Sequence, residues 1–217
     1  MSIINTRYLG FDLSSPIIVG SSNFTSRVES IVEAEAAGAG AVVLKSLFEE
    51  QIVSQAHSLS SQESYPEADD YLKYYTRTNS VDAYLDLIAG ARKKVKIPVI
   101  ASINCFSPEG WIDFALEIEK AGASALEVNI FFVPTDKQKS SADSEKVYFR
   151  IIDNLKRKLK IPVSVKIGPK FSNILNFVWQ MHNHGAAGVT MFNRFYEPDI
   201  DINNMNIVPA PVLSNPL

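Results

Sequence analysis

Three stretches of this chain repeat one pattern: a helical run, a Gly-Ala turn, an apolar strand, then a polar residue. Ala36-Ala37-Gly38-Ala39 leads through Ala41-Val42-Val43-Leu44 to Lys45. Lys120-Ala121-Gly122-Ala123 leads through Ala125-Leu126-Glu127-Val128 to Asn129. His184-Gly185-Ala186-Ala187 leads through Gly188-Val189-Thr190-Met191-Phe192 to Asn193. A glycine that closes a helix just before a short β-rich run is the αβ joint of a parallel sheet. A Lys or Asn at the C-terminal end of each strand points to the face where α/β proteins place their chemistry.

Between and around these joints the same grammar continues. Thr6 to Leu13 alternates and reads as a short hairpin arm. Pro16-Ile17-Ile18-Val19 reads as a buried strand that ends in Gly20-Ser21-Ser22. A helix is expected from about Ser26 to Ala37. Residues 49–79, rich in Ser, Gln, Glu and Tyr, read as a long lid-like loop. Val81, Tyr84, Leu85, Ile88 and Val95 keep helical spacing and feed a strand over Ile97–Asn104. Ser107-Pro108 is a helix start, with Trp111, Phe114, Ala115 and Ile118 as its apolar stripe. A helix is expected around Asp143–Leu159. Its exit, Lys160-Ile161-Pro162-Val163, echoes Lys96-Ile97-Pro98-Val99 and leads to a strand ending at Lys166. Ser172 is expected to cap a helix with Ile174, Leu175, Val178 and Met181 inward, followed by a sixth strand.

Six βα-type strands in order are the signature of a TIM (β/α)8 barrel, with about six of its eight βα units present. The chain reads as a single, incomplete domain over residues 1–217. Beyond Asn193 it holds four prolines and no further αβ unit. Either two units lie beyond Leu217 or the fold is a shorter open sheet. An incomplete barrel leaves open edges, so a homo-oligomer or a rearranged C-terminal segment is expected to cover them.

A net charge of −3 gives no basic stripe, so nucleic acid is not an expected partner. No apolar run approaches a membrane span, and Met1 to Arg7 lacks the apolar centre of a signal peptide. One cysteine, Cys105, excludes an internal disulfide and suits the cytoplasm. His57, His182 and His184 have no metal-ligand spacing, so no metal is expected.

The strand-end residues Ser21, Lys45, Asn104, Asn129, Lys166 and Asn193 would converge on one barrel mouth. Singly, each could merely face solvent. In register, two lysines and three amides suit an electron-rich ring or an oxyanion. A carboxylate pair is missing, which removes support for a glycosidase.

Leu9-Gly10-Phe11, Pro16-Ile17-Ile18, Gly20-Ser21-Ser22, Val43-Leu44-Lys45-Ser46, Glu127-Val128-Asn129, Val165-Lys166-Ile167 and Phe192-Asn193-Arg194 together resemble the soluble class of dihydroorotate dehydrogenases. That resemblance implies FMN across the mouth, against Ser21, Lys45, Ser46, Asn129, Lys166 and the backbone near Phe192. It also implies a pyrimidine-like substrate held by Lys45, Asn129, Asn193 and Arg194, and oxidation of a ring CH–CH bond in pyrimidine biosynthesis. The family carries a catalytic Cys or Ser shortly after the fourth-strand Asn. Here that segment is Ile130-Phe131-Phe132-Val133-Pro134-Thr135, whose Phe and Val cannot take a proton. Cys105 and Thr135 are the available substitutes. The phosphate-binding glycine loops of strands seven and eight fall beyond Leu217 in the family pattern, so weak FMN binding is expected. Two other readings remain open: a non-catalytic flavin- or pyrimidine-binding paralogue, and a Schiff-base barrel lyase using Lys45 or Lys166.

Overall fold

The computed structural model describes residues 5–48, 81–104, 115–130, 136–193, 198–201 and 205–209. The lid-like segment 49–79, the helix start at Ser107-Pro108 with Trp111 and Phe114, and the candidates Cys105, Thr135 and Arg194 lie outside the described residues.

The chain opens with a hairpin, β1 (Thr6–Tyr8) and β2 (Phe11–Leu13), paired antiparallel. Leu9 and Gly10, at φ 51° and 86°, form its two-residue turn. Strands β3 (Ile18–Val19), β4 (Ala41–Val43), β5 (Leu47–Phe48), β6 (Val99–Asn104), β7 (Ala125–Asn129), β8 (Val163–Ile167) and β9 (Gly188–Met191) then build one sheet. Its order is β3-β4-β6-β7-β8-β9, and β5 pairs with the far end of β6. Every pairing in it is parallel. The crossovers include helices α1 (Val28–Ala36), α2 (81–94), α3 (115–120), α4 (Ser141–Lys158) and α5 (Ile174–Asn183). A second antiparallel hairpin, β10 (Pro198–Asp201) and β11 (Asn206–Pro209), follows β9. The sheet curls into half of a barrel, so the expected α/β barrel in about six of eight units is what forms.

The three αβ joints are one device built three times. Gly38, Gly122 and Gly185 take φ of 93°, 97° and 95°, a conformation that L side chains resist. Each glycine N–H returns to the helix, and the following alanine N–H reaches one residue further back: Ala39 to the Ala34 carbonyl, Ala123 to Ile118, Ala186 to Met181. A second device explains the Lys-Ile-Pro-Val echo. Oε1 of Glu35 accepts from the Lys96 and Ile97 N–H groups at 2.7 and 3.1 Å. Oε1 of Glu119 accepts from Lys160 and Ile161 at 2.6 and 2.9 Å. Each glutamate lies three residues before its joint glycine. It satisfies two amides just before a proline, which has no N–H of its own.

Two local expectations need correction. The strand at Pro16–Val19 contracts to Ile18–Val19, and Ile17 is 66% exposed. Among the described strands β3 has one neighbour, β4, so a full apolar run is not enclosed by them. The cap of α5 is Asn173, whose side chain accepts from the Asn176 N–H at 3.0 Å, rather than Ser172. Phe177 and Met181 are therefore the buried positions, with Ile174 and Val178 packed beside them. Leu175, one step of about 100° away, is 83% exposed. The longest helix among the described residues, α4, begins on a capping box between Ser140 and Asp143. Bonds from Ser140 first, then Lys146, hold the Asp143 carboxyl below the usual carboxylate range.

Alternation along the strands separates two faces. Val42, Leu44, Val99, Ala101, Ile103, Leu126, Val128, Val163, Val165 and Ile167 pack outward with the buried residues of the helices. On the opposite face, Ala41, Val43, Ile100 and Ala125 pack against Leu9 and Leu13 of the N-terminal hairpin. The hairpin therefore plugs the end of the concave face from which the strands begin. Its side chains crowd Gly188, where an added Cβ would meet Leu9 Cδ2 at 2.7 Å and Tyr8 at 3.2 Å. The other end of the concave face is left to polar residues.

Candidate functional site

Above that apolar floor, the concave positions are polar. Ser102, Glu127 and Ser164 are register partners on β6, β7 and β8, and all three are buried. Two residues further along each strand come Asn104, Asn129 and Lys166. The sheet thus presents a buried polar layer and, above it, a polar rim at the strand ends.

Ser21 and Ser46 reach this rim because the chain leaves the ladder between β4 and β5. The Leu44 N–H still pairs with the Ile100 carbonyl, but the Lys45 N–H turns to the Thr25 carbonyl at 3.4 Å. The Ser46 N–H goes to Ser21 Oγ at 3.0 Å, and the two hydroxyls lie 3.1 Å apart. Ser46 Oγ also lies 2.8 Å from Ser102 Oγ. Tyr84, from α2, clamps Ser102: its hydroxyl donates to the Ser102 carbonyl at 3.0 Å and accepts from the Ser102 N–H at 2.8 Å. Burial holds the Tyr84 phenol well above the usual tyrosine range. The bond to the Ser102 backbone opposes that shift, and the Glu127 charge adds to it.

Glu127 is 3% exposed, and a carboxylate at such depth needs donors. Thr190 Oγ1 donates to Oε2 at 2.8 Å, and Ser102 Oγ to Oε1 at 3.4 Å. Ser102, Glu127, Thr190 and Tyr84 are not among the candidate site residues named from the sequence, where Glu127 stands only within the Glu127-Val128-Asn129 motif and Tyr84 only in a helical stripe. The usable signal was present: Ser102/Asn104, Glu127/Asn129 and Ser164/Lys166 put polar residues at both steps of one face, in strands otherwise Val, Ile, Leu and Ala.

Of the sequence-selected residues, the structure joins Ser21 to Ser46 and Asn129 to Asn193. Asn193 Nδ2 donates to Asn129 Oδ1 at 2.8 Å, and the Asn193 N–H pairs with the Ile167 carbonyl at 2.7 Å. Lys166 is the register partner of both Asn129 and Thr190 and is half-buried. Lys45, half-buried, projects from the same interrupted strand as Ser46. Asn104 is buried and its Oδ1 accepts no bond among the described residues. Phe192 is 46% exposed. Among the described residues no three of His, Cys, Asp and Glu are grouped to hold a metal, and no helix is long and apolar enough to cross a membrane.

Chemically, the rim offers cationic and amide donors together with one buried carbonyl that lacks a donor. That combination suits a planar ligand with alternating carbonyl and N–H groups on one edge.

No protein-family model matches the chain. It is 26% identical over 223 residues to dihydroorotate dehydrogenase B (NAD(+)), catalytic subunit, of Thermoplasma volcanium, which covers 99% of this chain and 68% of that protein. It is 30% identical over 122 residues to the subunit of the same name from Bacillus cereus, covering 55% of this chain and 38% of that one. Among solved structures, it resembles the dihydrodipicolinate synthase of Agrobacterium tumefaciens at TM-score 0.52 and 10% identity, over 81% of this chain and 53% of that one. A dihydrodipicolinate synthase family protein from Coccidioides immitis matches at TM-score 0.50 and 14% identity, over 82% and 52%. The chain thus spans about half the length of the solved proteins it matches, and at such identities the likeness shows the fold alone.

Proposed function

We propose that this chain forms the flavin-ring site of an FMN-dependent oxidoreductase acting on a CH–CH bond of a dihydropyrimidine-type ring. The single observation that carries this reading is the rim itself, with Ser21, Ser46, Asn129, Lys166 and Asn193 at the C-terminal ends of β3, β4, β7, β8 and β9. The sequence relationship, which spans the whole chain, supports the same reading.

The donor set fits the ring of FMN. Lys166 and the Asn129 amide N–H groups can donate to its carbonyl oxygens, while the Asn104 carbonyl needs the kind of N–H the ring carries. When bound, FMN supplies an acceptor for a hydride from a substrate carbon. The chain's residues do the rest. Lys166 stabilises negative charge at the ring's edge, Lys45 and Asn193 orient a carboxylated substrate, and the floor of Leu9, Leu13 and Ile100 keeps water from below. Phosphate donors belong to strands seven and eight of an eight-unit barrel in the pattern this chain resembles. The two end strands of the sheet, β3 and β9, are where we place neighbouring copies of the chain.

The reading is tested by titrating riboflavin and FMN into the 217-residue chain and following backbone NMR shifts. Both ligands should perturb Lys45, Asn104, Asn129 and Lys166, with affinities within about threefold of each other, because the rim meets the ring and not the phosphate. No perturbation at these residues would overturn it. Borohydride trapping of an aldehyde on Lys45 or Lys166 would favour the lyase instead.

A further inference from the structure

Glu127 is a buried titratable group that the flavin reading leaves without a task. It is also the inner end of a continuous hydroxyl chain. Ser21 is half-exposed at the rim, Ser46 and Ser102 are buried, and the steps Ser21–Ser46, Ser46–Ser102 and Ser102–Glu127 measure 3.1, 2.8 and 3.4 Å. Only one set of hydroxyl directions satisfies every group when the carboxylate is charged. Ser102 donates to Glu127, Ser46 donates to Ser102, and Ser21 donates to Ser46 while accepting from the Ser46 N–H. A chain oriented in that way is ready to pass a proton inward.

We infer that Ser21, Ser46 and Ser102 form a proton path from the mouth of the half-barrel to Glu127, which stores the proton. A proton arriving at Ser21 forms an O–H bond there. Ser21 gives its own proton to Ser46, Ser46 gives its proton to Ser102, and Ser102 gives its proton to Oε1 of Glu127. Three O–H bonds break and four form. The net change is one added proton and the loss of one negative charge at Glu127, and each serine ends with its hydroxyl reversed.

Neighbouring groups support this arrangement. Tyr84, the titratable group facing Glu127 from α2, is held neutral by burial and fixes the Ser102 backbone through two bonds, which sets where the Ser102 hydroxyl is carried. Thr190 holds the other carboxyl oxygen at 2.8 Å, which keeps Oε1 turned to the serine. Lys166 and Lys45 stand at the rim, outside the chain of hydroxyls. In the proposed reaction this store takes the proton released from the substrate carbon, in place of the absent Cys or Ser. That use rests on the flavin reading, whereas the path does not.

The experiment needs no flavin. A light-released proton drops the pH around the purified chain, and time-resolved infrared spectroscopy follows the carboxyl band that Glu127→Gln removes. In the wild type this band should rise after the jump. Ser46→Ala and Ser21→Ala should each slow its rise by at least about tenfold, while Ser46→Thr, which keeps a hydroxyl, and Ser164→Ala, beside the path, should not. If Ser46→Ala does not fold, Ser21→Ala, at the half-exposed end, decides the matter. Equal rates in Ser21→Ala and wild type, or no Glu127 band in the wild type, would overturn the inference. Failure of the flavin titration would sink the flavin reading and leave this result standing.

Discussion

Asn193 reaches across β8 to Asn129: its amide donates at 2.8 Å although the two residues stand 64 positions apart and their strands are not neighbours. The bond ties the ends of β7 and β9 together over the strand that carries Lys166. Because Asn129 is buried, an unmade partner there is costly. A double-mutant cycle with Asn129→Ala and Asn193→Ala should therefore give a coupling of about 1 kcal/mol in urea unfolding. Additive single effects would mean that the bridge does not form in solution.

Lys166→Met keeps most of the stem of the side chain and removes the charge. If the ammonium donates to the flavin ring, riboflavin affinity should fall about ten- to a hundredfold, the worth of one charge-assisted bond. Lys156→Met, on α4 where Lys156 packs near Gly185, should leave it unchanged. FMN affinity below a micromolar in the wild-type chain would mean that phosphate donors lie within these 217 residues.

The paired glutamates give a structural prediction. Glu119→Ala leaves the Lys160 and Ile161 N–H groups without their acceptor and should cost about 1–2 kcal/mol, with faster hydrogen exchange at those two amides. Glu119→Gln retains an acceptor oxygen and should cost less than half as much. Glu35 should repeat both results at Lys96 and Ile97.

The sequence made the αβ joints readable because their cause is local. A glycine at positive φ after a helix is demanded by the backbone whatever surrounds it, and Gly38, Gly122 and Gly185 all sit there. Strand-end Lys166 and Asn129 were readable for a similar reason, since the position follows from where each strand stops. Glu127, legible only as part of a strand motif, was no candidate site residue because its role is set by Thr190 and Ser102, 63 and 25 residues away. The cap of α5 was misplaced by one residue because Ser172 and Asn173 are both good caps, and the backbone geometry chose Asn173. Hairpin β10–β11 was not anticipated. Pro198 and Pro209 form one of its cross-strand pairs, and a proline, with no N–H to give the ladder, is a weak strand signal.

Tyr148, on α4, packs edge-on against Phe177 at 5.2 Å and Phe171 at 5.7 Å, and burial pushes its phenol up to about 12. In the unfolded chain the same group titrates near its ordinary value of about 10. Between these values the unfolded state releases a proton that the folded state keeps, so stability falls as pH rises. The contribution is fully present below about pH 10 and is lost progressively up to about pH 12. Tyr84, raised in the same direction by burial, adds to the loss. Urea unfolding of the wild type should therefore weaken steeply across this window. Tyr148→Phe removes the titrating hydroxyl and keeps the ring, and should make the fall shallower by about 1–2 kcal/mol at the upper end. An unchanged slope in Tyr148→Phe would show that Tyr148 ionises in the folded chain as readily as in water.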